Sequence, residues 1–172
     1  LVVAAAAREI AAGKNWGNLK VVVIVTLLAA GNVTFHLEAH YAGAADYAIR
    51  LGVGLVILLI ALIGGRIVPS FTRNWLVKTH SGALPASFGL VDKAALAGTV
   101  LAAILWIIVP DSVTAGVMLL AAGALLFARL YRWRGGSTVR EPILFILHVG
   151  YAWLALAFVL LGASRIFGFV PE

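Results

Sequence analysis

The chain has 172 residues, of which 63% are hydrophobic and only 12% charged, and its formal net charge is +6. A soluble globular domain is about half apolar and a quarter charged, and a fold of this length could not hide so much apolar surface from water. Composition therefore predicts an integral membrane protein. The absence of cysteine excludes disulfides, thiolate metal sites and cysteine nucleophiles in this chain.

The N-terminal segment, LVVAAAAREI, is apolar but has neither a charged region before it nor a small-residue cleavage site, so it does not resemble a signal peptide. We interpret it as the last turns of a membrane helix. At the other end, FGFVPE follows directly on a hydrophobic segment. We therefore expect the chain to be an internal part of a longer protein.

Five further stretches are apolar over the length of about 20 residues that a helix needs to cross a membrane. The alternating pattern of a β-barrel is absent, and a single segment in lipid satisfies its backbone only as a helix. We predict an all-α, polytopic transmembrane helix bundle that forms one domain over residues 1–172, with about five full membrane helices plus the tail of a preceding one. The predicted spans are Leu19–Leu37, Tyr47–Gly65, Lys93–Val109, Val113–Leu130 and Pro142–Ala163.

Basic residues are distributed unevenly along the chain. Residues 8–20, 66–93 and 129–141 are rich in Lys and Arg, whereas the segments between them carry acidic residues such as Glu38 and Asp111. Basic loops of membrane proteins lie on the cytoplasmic side, so we predict that these three segments are cytoplasmic. The same rule explains the net charge without a nucleic-acid partner.

His36 and His40 are four residues apart in FHLEAH, near the predicted non-cytoplasmic end of the first full helix. Residues at this spacing share a helix face, so both imidazoles could bind one metal ion, and copper suits imidazole ligands. The residue order differs from the HExxH motif of zinc proteases, and Glu38 falls on the opposite face. The alternative is a polar helix end that is hydrated at the membrane surface.

His148 lies inside the fifth predicted span, in ILFILHVGYAWLALAF. Ionisable residues within membranes are rare and are by default functional candidates, so we consider His148 as a ligand of haem or a metal. Its predicted depth differs from that of His36, which argues against a shared metal. The alternative is a histidine that donates a hydrogen bond to a backbone carbonyl of another helix. His80 lies in a basic loop, where we expect a solvated histidine.

The stretch GGRIVPSFTRNWL, residues 64–76, interrupts the apolar sequence with two arginines. Its paired glycines are typical of a helix end, and Pro69 is typical of the first turn of a new helix, which predicts a break between two helices. Arg66 and Arg73 would then flank the break at the level of the lipid headgroups. Such a pair can bind carboxylates, including haem propionates, or can anchor the chain to lipid phosphates.

GGRIVPSFTRNWL, together with the upstream AREIAAGKNWGNLK and FHLEA, resembles the NnrS family of bacterial membrane proteins. The resemblance covers essentially the whole chain and implies a longer protein with roughly a dozen membrane helices, of which this chain would be the middle part. It also implies haem and copper as cofactors, a role in nitric oxide metabolism and denitrification, and a place in the bacterial inner membrane. It does not assign individual ligands.

These features together predict a haem- and copper-associated protein of the nitric oxide response. In this hypothesis His148 is a haem ligand, and Arg66 and Arg73 bind the propionates. Copper is held by His36 and His40. Whether the protein catalyses a reaction stays open. One alternative is a transporter or channel-like bundle, although the helix interiors hold few ionisable residues to line a path. The other is a non-catalytic scaffold that binds partner subunits through glycine and alanine faces.

Overall fold

A computed structural model describes residues 2–14, 16, 19–79 and 82–168, so the prediction for His80 lies outside the described residues. The described residues form α-helices α1 to α6 and a short 3₁₀ helix, and they contain no β-strand. The α-helices are α1 (Val2–Ala12), α2 (Leu19–Ala42), α3 (Asp46–Thr79), α4 (Leu90–Ile108), α5 (Val113–Tyr131) and α6 (Pro142–Phe167), and the 3₁₀ helix is Gly135–Thr138.

Five of these helices, α2 to α6, are long and apolar enough to cross a membrane. Each begins within a few residues of a predicted span. The prediction of an all-α, multi-pass membrane protein is therefore confirmed. The apolar side chains on the outer faces of the helices, such as Val100, Ile146 and Trp153, are exposed, as expected of helices that lie in lipid.

The predicted break between residues 64 and 69 is wrong. Helix α3 is continuous from Asp46 to Thr79 and contains Pro69 in its interior. The following connection is correspondingly shorter than predicted, because only residues 80–89 separate α3 from α4. The helix continues through the proline because another part of the chain pairs with the backbone carbonyl that proline leaves free, as described below.

Contacts between residues divide the chain into two compact units, Leu1–Leu59 and Ile60–Glu172. In the first unit, the side chain of Glu38 on α2 reaches the start of α3. Its carboxylate accepts hydrogen bonds from the backbone N–H groups of Tyr47, at 3.0 Å, and Ala48, at 2.8 Å. The first N–H groups of a helix have no partner within the helix, so Glu38 caps α3 from the neighbouring helix.

The second unit contains the remainder of α3 and helices α4, α5 and α6. Each helix buries one stripe of residues, which fixes the face that it turns towards its neighbours. The stripe of α3 consists of Ala61, Gly65, Val68, Thr72 and Leu76, and that of α6 includes Leu144, His148, Tyr151, Ala155, Phe158 and Gly162. The polar members of these stripes form the candidate site.

Glycines bring α5 and α6 into close contact. A Cβ atom added to Gly162 would lie 2.7 Å from the carbonyl oxygen of Gly116, and one added to Gly123 would lie 2.7 Å from Val159 Cγ2. Small residues allow membrane helices to approach this closely. At one end of this pair, Arg165 binds Asp111 in the α4–α5 turn over 2.6 Å.

Candidate functional site

His148 is buried on α6, with only 5% of its surface exposed. Its Nδ1 lies 2.9 Å from the backbone carbonyl oxygen of Leu144, one turn earlier in the same helix. A carbonyl oxygen can only accept a hydrogen bond, so Nδ1 carries a proton and donates it. Many metal-ligating histidines make such a bond, because it leaves Nε2 with a lone pair in the neutral ring.

Thr72 of α3 covers the Nε2 atom of His148. The Thr72 Oγ1 atom lies 3.4 Å from Nε2 and donates its own proton to the carbonyl oxygen of Val68, 2.8 Å away. Because Thr72 is fully buried, a metal ion could reach Nε2 only if this hydroxyl turned away. The carbonyl to which His148 donates belongs to its own helix, and the Thr72 hydroxyl is the group of another helix that lies against the His148 ring.

A cavity of about 490 Å³ lies beside the ring of His148. Its wall combines aromatic and aliphatic side chains of α5 and α6 with the turn that joins the two helices. Principal wall residues are Phe127, Tyr131, Arg134, Gly135, Phe145 and His148. A concave, mostly apolar wall with a few polar groups is the usual form of a small-molecule site.

The turn after α5 packs directly against the ring of His148. A Cβ atom at Gly135 would lie 2.7 Å from Cδ2 of the His148 ring, so a residue with a side chain does not fit there without movement. Arg134 precedes this glycine and has φ 61° and ψ 36°, in the left-handed region. Thr138 is fully buried, and its hydroxyl donates to the carbonyl oxygen of Gly135 over 2.7 Å.

Arg129 is a buried cation of the second unit, with 1% of its surface exposed. Its Nε donates to Asp92 Oδ1 over 3.0 Å, so the charge is paired, as a buried charge requires. Its Nη1 donates to the carbonyl oxygen of Ala61 and to the Tyr151 hydroxyl, both at 3.0 Å, and Nη2 donates to the carbonyl oxygen of Gly65 at 3.4 Å. One side chain thereby connects α3, α4, α5 and α6.

Arg129, Asp92 and Tyr151, with the carbonyls of Ala61 and Gly65, form what we call the Arg129 cluster. The glycines of the GGRIVP stretch make room for it. A Cβ atom at Gly65 would collide with the Arg129 guanidinium, and one at Gly64 would lie 3.2 Å from the ring of Tyr151. Pro69 has no N–H, so it leaves the carbonyl of Gly65, four residues earlier, without its usual helical partner. Arg129 supplies that partner, and this explains why α3 stays helical in the membrane.

Trp133 connects the Arg129 cluster to the cavity. It is 2% exposed and packs edge-to-face on Tyr151, with ring centroids 4.6 Å apart. The Arg129 guanidinium lies 5.2 Å from its ring centroid, within the range of a cation–π contact. Because Trp133 directly precedes Arg134, the buried cluster also fixes the position of the turn at the cavity.

Asp92 is shared between two arginines. Besides Arg129, it lies 3.6 Å from Arg132 Nη2, and its Oδ2 accepts a hydrogen bond from the backbone N–H of Gly89 over 2.9 Å at the start of α4. Arg132 also donates to the carbonyl oxygen of Ser87 over 3.1 Å. The connection before α4 is thus tied to the end of α5.

Arg66 and Arg73 are both exposed side chains of α3. In a continuous helix, their spacing of seven residues places them two turns apart on one side, beside the buried face that carries Thr72. Neither lines the cavity at His148. The structure therefore brings His148 together with Arg134 and not with the two arginines that were selected from the sequence.

The remaining polar and aromatic residues of the stretch lie elsewhere. Phe71, Asn74 and Trp75 line a second cavity, of about 270 Å³, at the end of α3 and the start of α6. Lys78 and Glu141 contribute opposite charges to its wall. The stretch therefore divides its residues between the Arg129 cluster, the His148 contact and this second cavity.

His36 and His40 are exposed on α2, where their spacing places them on one helix face. Their rings pack edge-to-face on the adjacent Phe35 and Tyr41, with centroids 5.5 and 4.9 Å apart. Across the described residues, no group of three or more His, Cys, Asp or Glu side chains is placed to hold a metal. The pair by itself supplies two imidazoles, since Glu38 is committed to the start of α3.

Sequence reasoning did not single out Thr72, Arg129 or Arg134 as members of a site. Both arginines fall in the basic segment 129–141, which the sequence predicts to be cytoplasmic. One signal was present for Arg129, because it follows a run of apolar residues within a predicted span and so needs a partner in lipid. No pattern in the sequence distinguished Arg134 from its neighbours.

A family model described as NnrS protein matches the chain over residues 1–172. A search of curated proteins found no match, and a search of solved structures found none either. The match covers the whole chain and agrees with the resemblance carried by GGRIVPSFTRNWL. The chain therefore belongs to the NnrS protein family.

Proposed function

We propose that this protein acts in nitric oxide metabolism or nitrosative-stress tolerance in the bacterial inner membrane, with haem and copper as cofactors. Membership of the NnrS family supports the nitric oxide role. The observation behind the proposed site is the cavity beside His148, because a buried histidine and an arginine lie together there on a mostly apolar and aromatic wall. We propose this cavity as the haem site.

The cavity fits a haem group in two respects. Its aromatic and aliphatic wall suits a flat apolar macrocycle, and the Arg134 guanidinium suits a carboxylate. Haem, when bound, supplies an iron centre that binds diatomic ligands and exchanges single electrons.

The iron bond itself requires a change in the site. In the neutral ring, Nε2 of His148 would supply the lone pair that a ligand needs, but the Thr72 hydroxyl lies 3.4 Å from it. Coordination by His148 therefore requires the Thr72 side chain to rotate away, which breaks its hydrogen bond to Val68. Arg66 and Arg73 stay candidates for an anionic group outside the cavity, at the level of the lipid headgroups.

The first test is the absorption spectrum of the purified protein. A Soret band is expected for the wild type, and its absence would refute the haem proposal. Replacing His148 with Ala should abolish or shift the band. A band that is unchanged in position and intensity would assign the iron ligand to another residue. The Thr72→Ala variant, which removes the covering hydroxyl and puts no methyl group in its place, should retain the band.

For copper, we propose His36 and His40 as two of the ligands, with the remaining positions taken by water or by other donors. Metal analysis should show that the double variant His36→Ala, His40→Ala loses the copper that the wild type retains. Thr34→Ala is a matched control on the same helix, because the Thr34 hydroxyl bonds only to its own backbone at Ala30 in the described contacts. Copper that survives the double variant would remove this site.

We propose that the basic segments 8–20, 66–93 and 129–141 face the cytoplasm. Because this chain has no cysteine, single cysteines can report sidedness once any others in the full-length protein are removed. In intact cells, a membrane-impermeant maleimide should label Tyr41→Cys and not Arg140→Cys, although both positions are exposed. The reverse pattern would invert the topology.

The two alternative functions have less support. A transport path would need polar groups at successive depths, whereas Arg129, the buried cation, is held by five groups and is not aligned along an open path. A scaffold would need its small-residue faces for partners, yet Gly116, Gly123 and Gly162 are occupied by the contact between α5 and α6.

A further inference from the structure

Arg134 has a backbone conformation that an arginine rarely adopts. Its φ of 61° and ψ of 36° lie in the left-handed region, which is open to glycine and tolerated by asparagine but strained for longer side chains. Such outliers persist where the surrounding structure fixes them, and they concentrate at ligand sites. Two questions follow for position 134: what holds its backbone in the left-handed region, and why the residue there is an arginine.

The neighbouring residues explain the persistence. Trp133, directly before it, is buried against Tyr151 and the Arg129 guanidinium. After it, Gly135 packs on the His148 ring, and the Thr138 hydroxyl holds the Gly135 carbonyl. These contacts on both flanks hold position 134 in the left-handed region.

The local structure does not explain why the side chain is arginine. A glycine would meet the backbone requirement without strain, and glycine occupies the next two positions. The Arg134 side chain is exposed and lines the cavity. The ion pairs of the second unit involve Arg129, Arg132 and Arg165, and no described carboxylate forms one with Arg134.

We propose that Arg134 is the anion-binding residue of the His148 cavity and that it pairs with a carboxylate of a flat, largely apolar ligand. A guanidinium presents two parallel N–H groups that match a carboxylate. Phe127, Tyr131 and Phe145 provide aromatic surfaces for an apolar body in the same cavity. The identity of this ligand rests on the proposed function. Within the cavity, Arg134 takes the place of Arg66 and Arg73 as the proposed partner of a propionate.

The test uses metal-free protoporphyrin and its dimethyl ester, because neither depends on an iron bond to His148. Binding to the cofactor-depleted full-length protein, in nanodiscs of phosphatidylcholine, is followed by porphyrin fluorescence. The wild type should bind the free acid roughly tenfold more tightly than the ester, as expected for loss of one charge-assisted pair. In Arg134→Asn, which keeps a residue suited to the left-handed backbone, this preference should disappear.

Two further variants separate charge from backbone strain. Arg134→Gly should lose the preference for the free acid while unfolding at no lower temperature than the wild type. Arg140→Asn, which removes an exposed arginine of the same basic segment that does not line the cavity, should keep the full preference. A wild type that binds acid and ester equally, or an Arg134→Asn variant that still prefers the acid, would overturn the proposal.

A lipid-binding measurement tests the other possible anion, the phosphate of a lipid headgroup. If labelled phosphatidylglycerol binds the wild type but not Arg134→Asn, while porphyrin binding is independent of residue 134, the arginine binds lipid phosphate and the carboxylate assignment is wrong. The experiments test the iron site and the role of Arg134 independently of each other. A wild type that shows the acid preference but forms no Soret band with haem would refute the iron site and keep the role of Arg134.

Discussion

The guanidinium of Arg129 donates a hydrogen bond over 3.4 Å to the backbone carbonyl of Gly65, the group that Pro69 leaves without a helical partner. A side chain 64 positions later in the chain thus completes the hydrogen bonding of α3. The absence of a side chain at Gly65 makes the approach possible. The roles of Gly65, Pro69 and Arg129 therefore depend on one another, and this dependence predicts how the protein should respond when each is substituted.

Gly65→Ala should destabilise the protein strongly. The new Cβ atom would collide with the Arg129 guanidinium, and displacing a buried, paired charge costs about 3 kcal/mol or more. Thermal unfolding of the full-length protein in detergent measures the loss. Gly52→Ala is the control in the same helix, because nothing lies within 4 Å of its added Cβ atom. Equal melting temperatures for the two variants would contradict the packing at Gly65.

Asp92 and Arg129 should show strong energetic coupling. Asp92→Asn or Arg129→Gln alone leaves the other charge buried without its partner, at a cost of about 3–5 kcal/mol. The double variant should be destabilised by less than the sum of the two single variants. Unfolding free energies of the four proteins measure this coupling. Additive effects would show that the 3.0 Å ion pair does not contribute.

Pro69→Ala should have an effect that depends on Arg129. A proline inside a helix normally costs about 3 kcal/mol relative to alanine, but here Arg129 already pairs with the carbonyl that proline leaves free. We expect Pro69→Ala to stabilise the Arg129→Gln background more than the wild type, because only there does the new N–H supply a missing partner. An equal gain in both backgrounds, by thermal unfolding, would contradict this account.

Hydrophobicity was sufficient to predict the membrane helices, because each span needs an uninterrupted apolar stretch of fixed length. It was not sufficient at Gly64–Pro69. Glycine pairs and proline end helices in water, whereas in lipid a helix can continue through proline if a neighbouring group pairs with the freed carbonyl. That group belongs to Arg129, and the pairing depends on tertiary structure that a local pattern does not contain.

The candidate site was predicted only in its centre. His148 stood out because an ionisable residue in an apolar span is conspicuous. The residues around it did not stand out, because Thr72 and Arg134 reach it through helix packing and through a left-handed turn. Charge counting assigned the same role to every arginine near a helix end, so it could not separate buried Arg129 from exposed Arg73.

Glu38→Ala should weaken the start of α3. The carboxylate accepts hydrogen bonds from two N–H groups of the first turn, at Tyr47 and Ala48, and loss of such a cap costs about 0.5–2 kcal/mol. Hydrogen exchange at Tyr47 and Ala48 should accelerate. The control is Glu9→Ala, since the described contact of Glu9 is an exposed pair with the adjacent Arg8. Unchanged exchange in Glu38→Ala would contradict the cap.

The central claim is that the cavity beside His148 holds the cofactor, and filling the cavity tests it most directly. Ala152 lines the cavity, whereas Ala157 on the same helix is exposed on an outer face. The Soret absorbance per protein should be lost or strongly reduced in Ala152→Phe and should equal that of the wild type in Ala157→Phe. A full Soret band in Ala152→Phe, from a protein that folds as well as the control, would contradict the assignment.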